Sequence, residues 1–319
     1  MSVSDLISLN LGSPAVLAFA LGVVATLLRS DLRFPEAVTS LLSTYLLFAI
    51  ALKGGMELRH ASFGDIAWPT VATLALGLLV PIVAYTAARR FVRLSIVDAA
   101  SIAAHYGSVS AVTFTAAESF ARAAGTLQEG FLPALVAMLE VPGIVVAMVL
   151  ASRALGGRNL RSAVHEVITG KSIMLLVGGI LIGTFASRSG LDKVTPLFKD
   201  LFQGVLVLFL LDLGTLAAQR LKTLRSVGVR LVIFAIAMPL AFGTIGVVVG
   251  TVAGLSVGGA AVFAAMVASA SYIAAPAAVR VGLPEADVGM SLGAALGMTF
   301  PLNLAIGIPL FHEIAQRLG

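Results

Sequence analysis

Apolar residues run along this chain in blocks of roughly twenty, the length of α-helix that crosses the hydrocarbon core of a bilayer, and polar residues gather between the blocks. Cutting the runs at charged or Gly/Pro clusters predicts ten spans: 13–29, 36–53, 67–88, 97–121, 130–152, 171–187, 200–218, 227–251, 257–280 and 288–311. No stretch between them is long enough for a soluble domain. Composition points the same way. Of 319 residues 59% are apolar and 12% charged, about half the charged share of a water-soluble domain, so lipid is the expected solvent. The absence of cysteine excludes disulfides, thiolate metal sites and a cysteine nucleophile. The opening MSVSDLISLNLGS has neither a basic n-region nor a small-residue cleavage site, which predicts that the first span is retained.

Charge orients the spans, because cytoplasmic connections collect Lys and Arg. With the N-terminus outside, fourteen basic residues fall in cytoplasmic connections: Arg29, Arg33, Arg89, Arg90, Arg93, Arg153, Arg158, Arg161, Lys171, Arg220, Lys222, Arg225, Arg230 and Arg280. Six fall outside: Arg59, Arg122, Arg188, Lys193, Lys199 and Arg317. Both termini are therefore expected on the non-cytoplasmic side. No basic run exceeds the adjacent Arg89 and Arg90, so nucleic acid is not an expected partner.

The sequence also pairs with itself. Lys53 and Asp212, Gly55 and Gly214, Ser110 and Ser269, Glu140 and Thr299, and Pro142 and Pro301 share an offset of 159 residues. Each half then holds five spans, and an odd number inserts the second copy upside down. The expected fold is an all-α integral membrane protein of ten transmembrane helices in two inverted five-helix repeats. Residues 1–154 form the first repeat, 155–170 a cytoplasmic linker and 171–319 the second repeat. Inverted repeats can exchange inward-facing and outward-facing roles around a midplane site, which makes a transporter the leading class.

Spans four and nine occupy equivalent places, and both are interrupted. Gly107, Ser108 and Ser110 weaken the first in mid-membrane, while Ser269, Ser271 and Pro276 weaken the second. A broken helix presents free N–H groups and a partial positive charge, so two such ends meeting at the midplane would seat a small anion. Ionisable residues deep in the bilayer are functional candidates by default. Glu140, two residues before Pro142, is assigned to cation ligation or proton carriage beside that seat, with Ser110, Ser269 and Thr299. Lys53 and Asp212 are expected to pair across the repeats. His105 reads as a packing residue, and Glu118, Arg122, Glu129, Arg280, Glu285 and Asp287 as solvated charges at span ends. The chain has no P-loop, HExxH or GxSxG, so neither ATP-driven transport nor common hydrolase chemistry is indicated, and an enzyme is not expected.

The segments ALKGGMELR, YGSVSAVTF, MLEVPGIVVAMVLA, SASYIAAPAAVRVGLP and GAALGMTFPLNLAIGIPLF together resemble the sodium-dependent bicarbonate permeases of bacteria, in order and over nearly the whole chain. The resemblance implies core and gate bundles each built from both repeats, helices four and nine crossing at the midplane, and alternating access. It further implies a homotrimer in the bacterial inner membrane and a small PII-like cytosolic regulator. It places bicarbonate at Gly107, Ser108, Val109 and Ser110 on one side and at Ser269, Ala270, Ser271 and Tyr272 on the other. Sodium, the coupling ion, would lie near Glu140 and Ser271, and no further cofactor is implied. Two departures stand out. The family's second break is a serine run ending in aspartate, whereas this chain reads SASY, with Ala270 for a serine and Tyr272 for the acid. Glu140 stands where relatives carry aspartate. The alternatives are a proton-coupled or uncoupled small-anion transporter, an anion channel, and a membrane sensor that no longer transports.

Overall fold

The computed structural model describes residues 10–155, 160–224 and 228–319. The opening residues 1–9, Arg158 in the expected linker, and Arg225 lie outside the described residues. All regular structure among those described is helical. The elements are α1 (Pro14–Leu27), α2 (Glu36–Leu58), α3 (Phe63–Ala87), α4 (Ile96–Gly107), α5 (Ala111–Ala123), α6 (Leu132–Leu155), α7 (Leu160–Thr169), α8 (Lys171–Phe185), α9 (Arg188–Thr195), α10 (Phe202–Leu224), α11 (Val229–Val252), α12 (Val257–Val267) and α13 (Ala274–Gly282). The last, α14 (Val288–Leu318), runs through wider, under-wound π turns at Gly293–Thr299 and Asn303–Gly307. Helix falls on every apolar block. Six stretches are long and apolar enough to cross a bilayer unaided, namely α2, α3, α6, α9 running on into α10, α11 and α14. The helices α1, α8 and α12 are apolar but shorter.

Local chemistry sets the ends. Ser13 caps α1 by accepting from Val16 N, with Pro14 in the first helical position where its missing N–H costs nothing. Ser62 and Asp65 form a reciprocal capping box on α3. Pro69, Pro81, Pro142 and Pro239 all lie within helices, as membrane helices tolerate when neighbours pack around the freed carbonyls.

Small residues let these helices approach closely. A Cβ on Gly22 of α1 would fall 2.1 Å from the Leu211 carbonyl of α10, and one on Gly214 would fall 2.1 Å from the Phe19 carbonyl. The same relation joins α2 and α8, where a Cβ on Gly55 would meet Ile180 O at 2.2 Å and one on Gly183 would meet Leu52 O at 2.2 Å. Lipid-facing surfaces carry exposed Leu21, Leu41, Leu78, Ile182 and Val248.

Two expectations need correction here. The stretch 155–170 is more than a polar connection, because α7 forms there and packs against α13 and α6. Its sequence places Leu160, Ala163, Val164 and Val167 at helical spacing, an amphipathic stripe diluted by Arg161, His165 and Glu166. The ion pair between Lys53 and Asp212 does not form. Asp212 Oδ2 accepts from Thr39 Oγ1 at 2.6 Å, whereas the Lys53 ammonium lies 4.4 Å above the Phe202 ring. Thr39 and Lys53 are fourteen residues apart on α2, about 20 Å along the axis, so equivalent register does not bring the two charges together.

Candidate functional site

Both interrupted spans break. Helix α4 ends at Gly107 and α5 begins at Ala111; α12 ends at Val267 and α13 begins at Ala274. Pro276 lies inside the first turn of α13 rather than at the break, where a proline is readily accommodated. Gly107 and Gly143 of α6 meet backbone to backbone: a Cβ on Gly143 would run into the Gly107 carbonyl, and one on Gly107 would fall 2.6 Å from Pro81 Cβ and 3.0 Å from Gly143 Cα.

The two breaks are tied to each other. Ser110 N donates to Ser269 Oγ at 2.8 Å, and Ser271 N donates to the His105 carbonyl at 2.7 Å. Ser269 Oγ donates its own proton to Met266 O at 2.7 Å, so this hydroxyl has no donor left and keeps one lone pair. Ser110 caps α5 by accepting from Thr113 N at 3.1 Å and donates to the Tyr272 hydroxyl at 3.1 Å. Ser271 Oγ accepts from Ala275 N at 3.3 Å. Ser108 Oγ and Thr113 Oγ1 are buried without a partner. Val109 and Ala270 are buried at the two turns.

Beside this crossing lies a small cavity bordered by Val109, Ser110, Glu140, Ser172, Ser271 and Tyr272. Its room is about 10 Å³, enough for roughly one water and too little for an oxyanion. Glu140 is buried and makes no hydrogen bond or ion pair with any described residue. Tyr272 lines one wall, its ring edge-on to Phe300 with centroids 5.6 Å apart. Having accepted from Ser110, its hydroxyl keeps a proton to donate. Ionised, Glu140 would be an acceptor facing hydroxyls; protonated, it would be a donor. Either state can be exchanged with a cation or proton that enters the cavity.

The structure thus gathers Ser110, Ser269, Ser271, Tyr272 and Glu140. Thr299 does not border this cavity: its hydroxyl donates to Ala235 O at 2.8 Å and bonds the Tyr106 hydroxyl at 2.7 Å. Among the described residues no group of three or more His, Asp or Glu is placed to hold a metal ion, so a cation here would rest on Glu140 and neutral oxygens. Sequence reasoning missed Ser172, Leu47 and Ile273, which also line the cavity. Ser172 follows Lys171 at the start of an apolar run and carried no signal beyond being polar. His105 is fully buried, with Nδ1 2.7 Å from Ser101 O, while its Nε2 has no partner among the described residues. Glu118 and Glu129 are not solvated charges. Glu118 is buried and bridged to Arg122, and Glu129 accepts from the backbone N–H and the hydroxyl of Ser256, which caps α12.

Long apolar helices wrapped around paired, hydroxyl-lined breaks define a multi-pass membrane protein of the transporter class. The chain belongs to the Na+-dependent bicarbonate transporter superfamily, whose family model matches residues 14–316. Comparison with individually curated proteins returns no match.

Proposed function

We propose that the protein is a secondary transporter that carries bicarbonate across the membrane by alternating access, with the anion seated between the two breaks. The observation that carries this reading is the bond from Ser110 N to Ser269 Oγ. It joins residues of equal register in the two halves, beside a cavity that one carboxyl group faces. The α5 N-terminus is the stronger anion end, since Pro276 removes a donor from the first turn of α13.

The ten-crossing, inverted architecture is part of the same proposal. Gly55 and Gly214, one repeat apart, each sit in a close glycine crossing, with Gly183 and Gly22 respectively. Contacts between connections also respect the expected sidedness. On the expected outer side Arg59 donates to Ala186 O, and Glu129 meets Ser256; on the cytoplasmic side Asp287 N donates to Asp98 Oδ1 at 2.8 Å, and Lys171 Nζ donates to Ser40 O at 3.0 Å. These pairings support the alternation of sides along the chain; the placement of both termini outside the cytoplasm rests on the division of basic residues.

Sodium is the coupling ion we assign, on family membership. A second reading, proton coupling, is favoured by one observation: Glu140 is the single carboxyl group bordering the cavity, and Tyr272 brings no negative charge. Uptake of labelled bicarbonate into proteoliposomes under a sodium gradient, a proton gradient or neither separates them. Under either reading Glu140→Gln abolishes gradient-driven uptake while the protein still elutes as a folded species. Normal coupled uptake by Glu140→Gln would refute a coupling role for this carboxyl group.

A further inference from the structure

A second polar cavity, with room for about 70 Å³, opens beside the C-terminal ends of α2 and α5, the start of α6 and the α9 segment. Its charged lining is Lys53, Glu57, Glu118, Arg122 and Lys199. Glu57, Arg122 and Lys199 are exposed at the mouth, while Lys53 and Glu118 lie deeper. The buried carboxylate is already engaged, since Glu118 Oε1 accepts from Arg122 Nε at 3.0 Å and from Arg122 Nη2 at 2.7 Å. Lys53 forms no ion pair or hydrogen bond with any described residue and rests over Phe202. Three cations against two carboxylates leave the lining with a net positive charge of one, and Lys53, the more buried of the two lysines, lies within it. An unpaired cation within a membrane helix is costly unless it is wetted or neutralised.

We propose that this cavity is an outer capture site in which Lys53 holds one small monovalent oxyanion. The assignment of that anion as bicarbonate rests on the transport reading above; the site itself does not. The geometry connects the two places. Helix α5 has Ser110 at its N-terminal cap and Glu118 two turns later, so the capture site lies about 12 Å along one helix from the break. The cavity at the break is too small for an oxyanion as it stands, whereas this one is not. The anion therefore waits at Lys53 while the inner cavity is closed.

The test uses the purified full-length protein and bicarbonate as probe. Equilibrium binding of labelled bicarbonate is expected to fall by one equivalent per chain in Lys53→Met and to be retained in Lys53→Arg. In proteoliposomes, Lys53→Met is expected to raise KM roughly tenfold for bicarbonate supplied at the outer face. Influx Vmax should change little, and, as reversibility requires, Vmax/KM for efflux should fall by the same factor as for influx. Unchanged binding in Lys53→Met, or an unchanged outer-face KM, overturns the proposal. If Lys53→Met does not elute as a folded species, Lys199→Gln at the exposed mouth decides: its outer-face KM should rise about threefold at low salt, and no rise overturns the proposal. A wild type that binds bicarbonate in a Lys53-dependent way yet transports none supports the capture site and refutes the transport reading. Wild-type uptake with an indifferent Lys53→Met does the reverse.

Discussion

Tyr272 replaces the acid that the family resemblance led us to expect, and it does so with a neutral hydroxyl bonded to Ser110 and an aromatic edge on Phe300. Removing the hydroxyl alone, in Tyr272→Phe, should change stability by no more than about 1 kcal/mol, because Ser110 still receives Thr113 N and the ring contact survives. A larger loss in thermal unfolding would mean that the hydroxyl anchors the break. Restoring an acid acts differently. Tyr272→Asp places a second carboxylate at the cavity that Glu140 faces, and two like charges there favour a cation between them. The sodium concentration for half-maximal uptake should fall in that variant, and an unchanged sodium titration would refute the idea. At this scale the residue types flagged by sequence were informative where the backbone itself breaks, at Gly107, Ser110, Ser269 and Ser271. They misled for Lys53 and Asp212. Register along the chain says which residues are equivalent, but not whether they meet.

The proposed repeat has a counterpart in two close glycine crossings. Because a Cβ on Gly55 would fall 2.2 Å from Ile180 O, and one on Gly214 would fall 2.1 Å from Phe19 O, either helix pair must separate to admit alanine. Gly55→Ala and Gly214→Ala should each cost about 1–3 kcal/mol, as overpacking does elsewhere, and the two costs should match. Thermal unfolding of the two variants side by side measures this; a tolerated substitution at one crossing alone would count against their equivalence. The apolar blocks were legible in the sequence because each span is one long run. The α7 helix was not, because Arg161, His165 and Glu166 lower the average while the stripe at helical spacing remains. Glu129 was misread for another reason. A carboxylate that accepts from the cap residue of a helix more than a hundred residues away leaves no local pattern.

For the whole molecule, the fourteen-to-six division of basic residues predicts sidedness, and the lack of native cysteine makes it easy to test. Single cysteines at the exposed positions His60 and Gln128 should react with an impermeant maleimide added to intact cells. A cysteine at exposed Ser30 should react only after the membrane is opened. The reverse pattern would invert the orientation. Charge alone predicts a topology of this kind; how the helices group it does not, since that depends on which glycine faces which carbonyl.

The stitches between the two breaks, Ser110 N to Ser269 Oγ and Ser271 N to His105 O, bind the interrupted helices into one unit. Under the proposed alternating access, those stitches travel with whatever displacement carries the cargo from one side to the other. The cargo then sees the same lining at departure and at arrival, so its discrimination against competing ions should be equal for import and export.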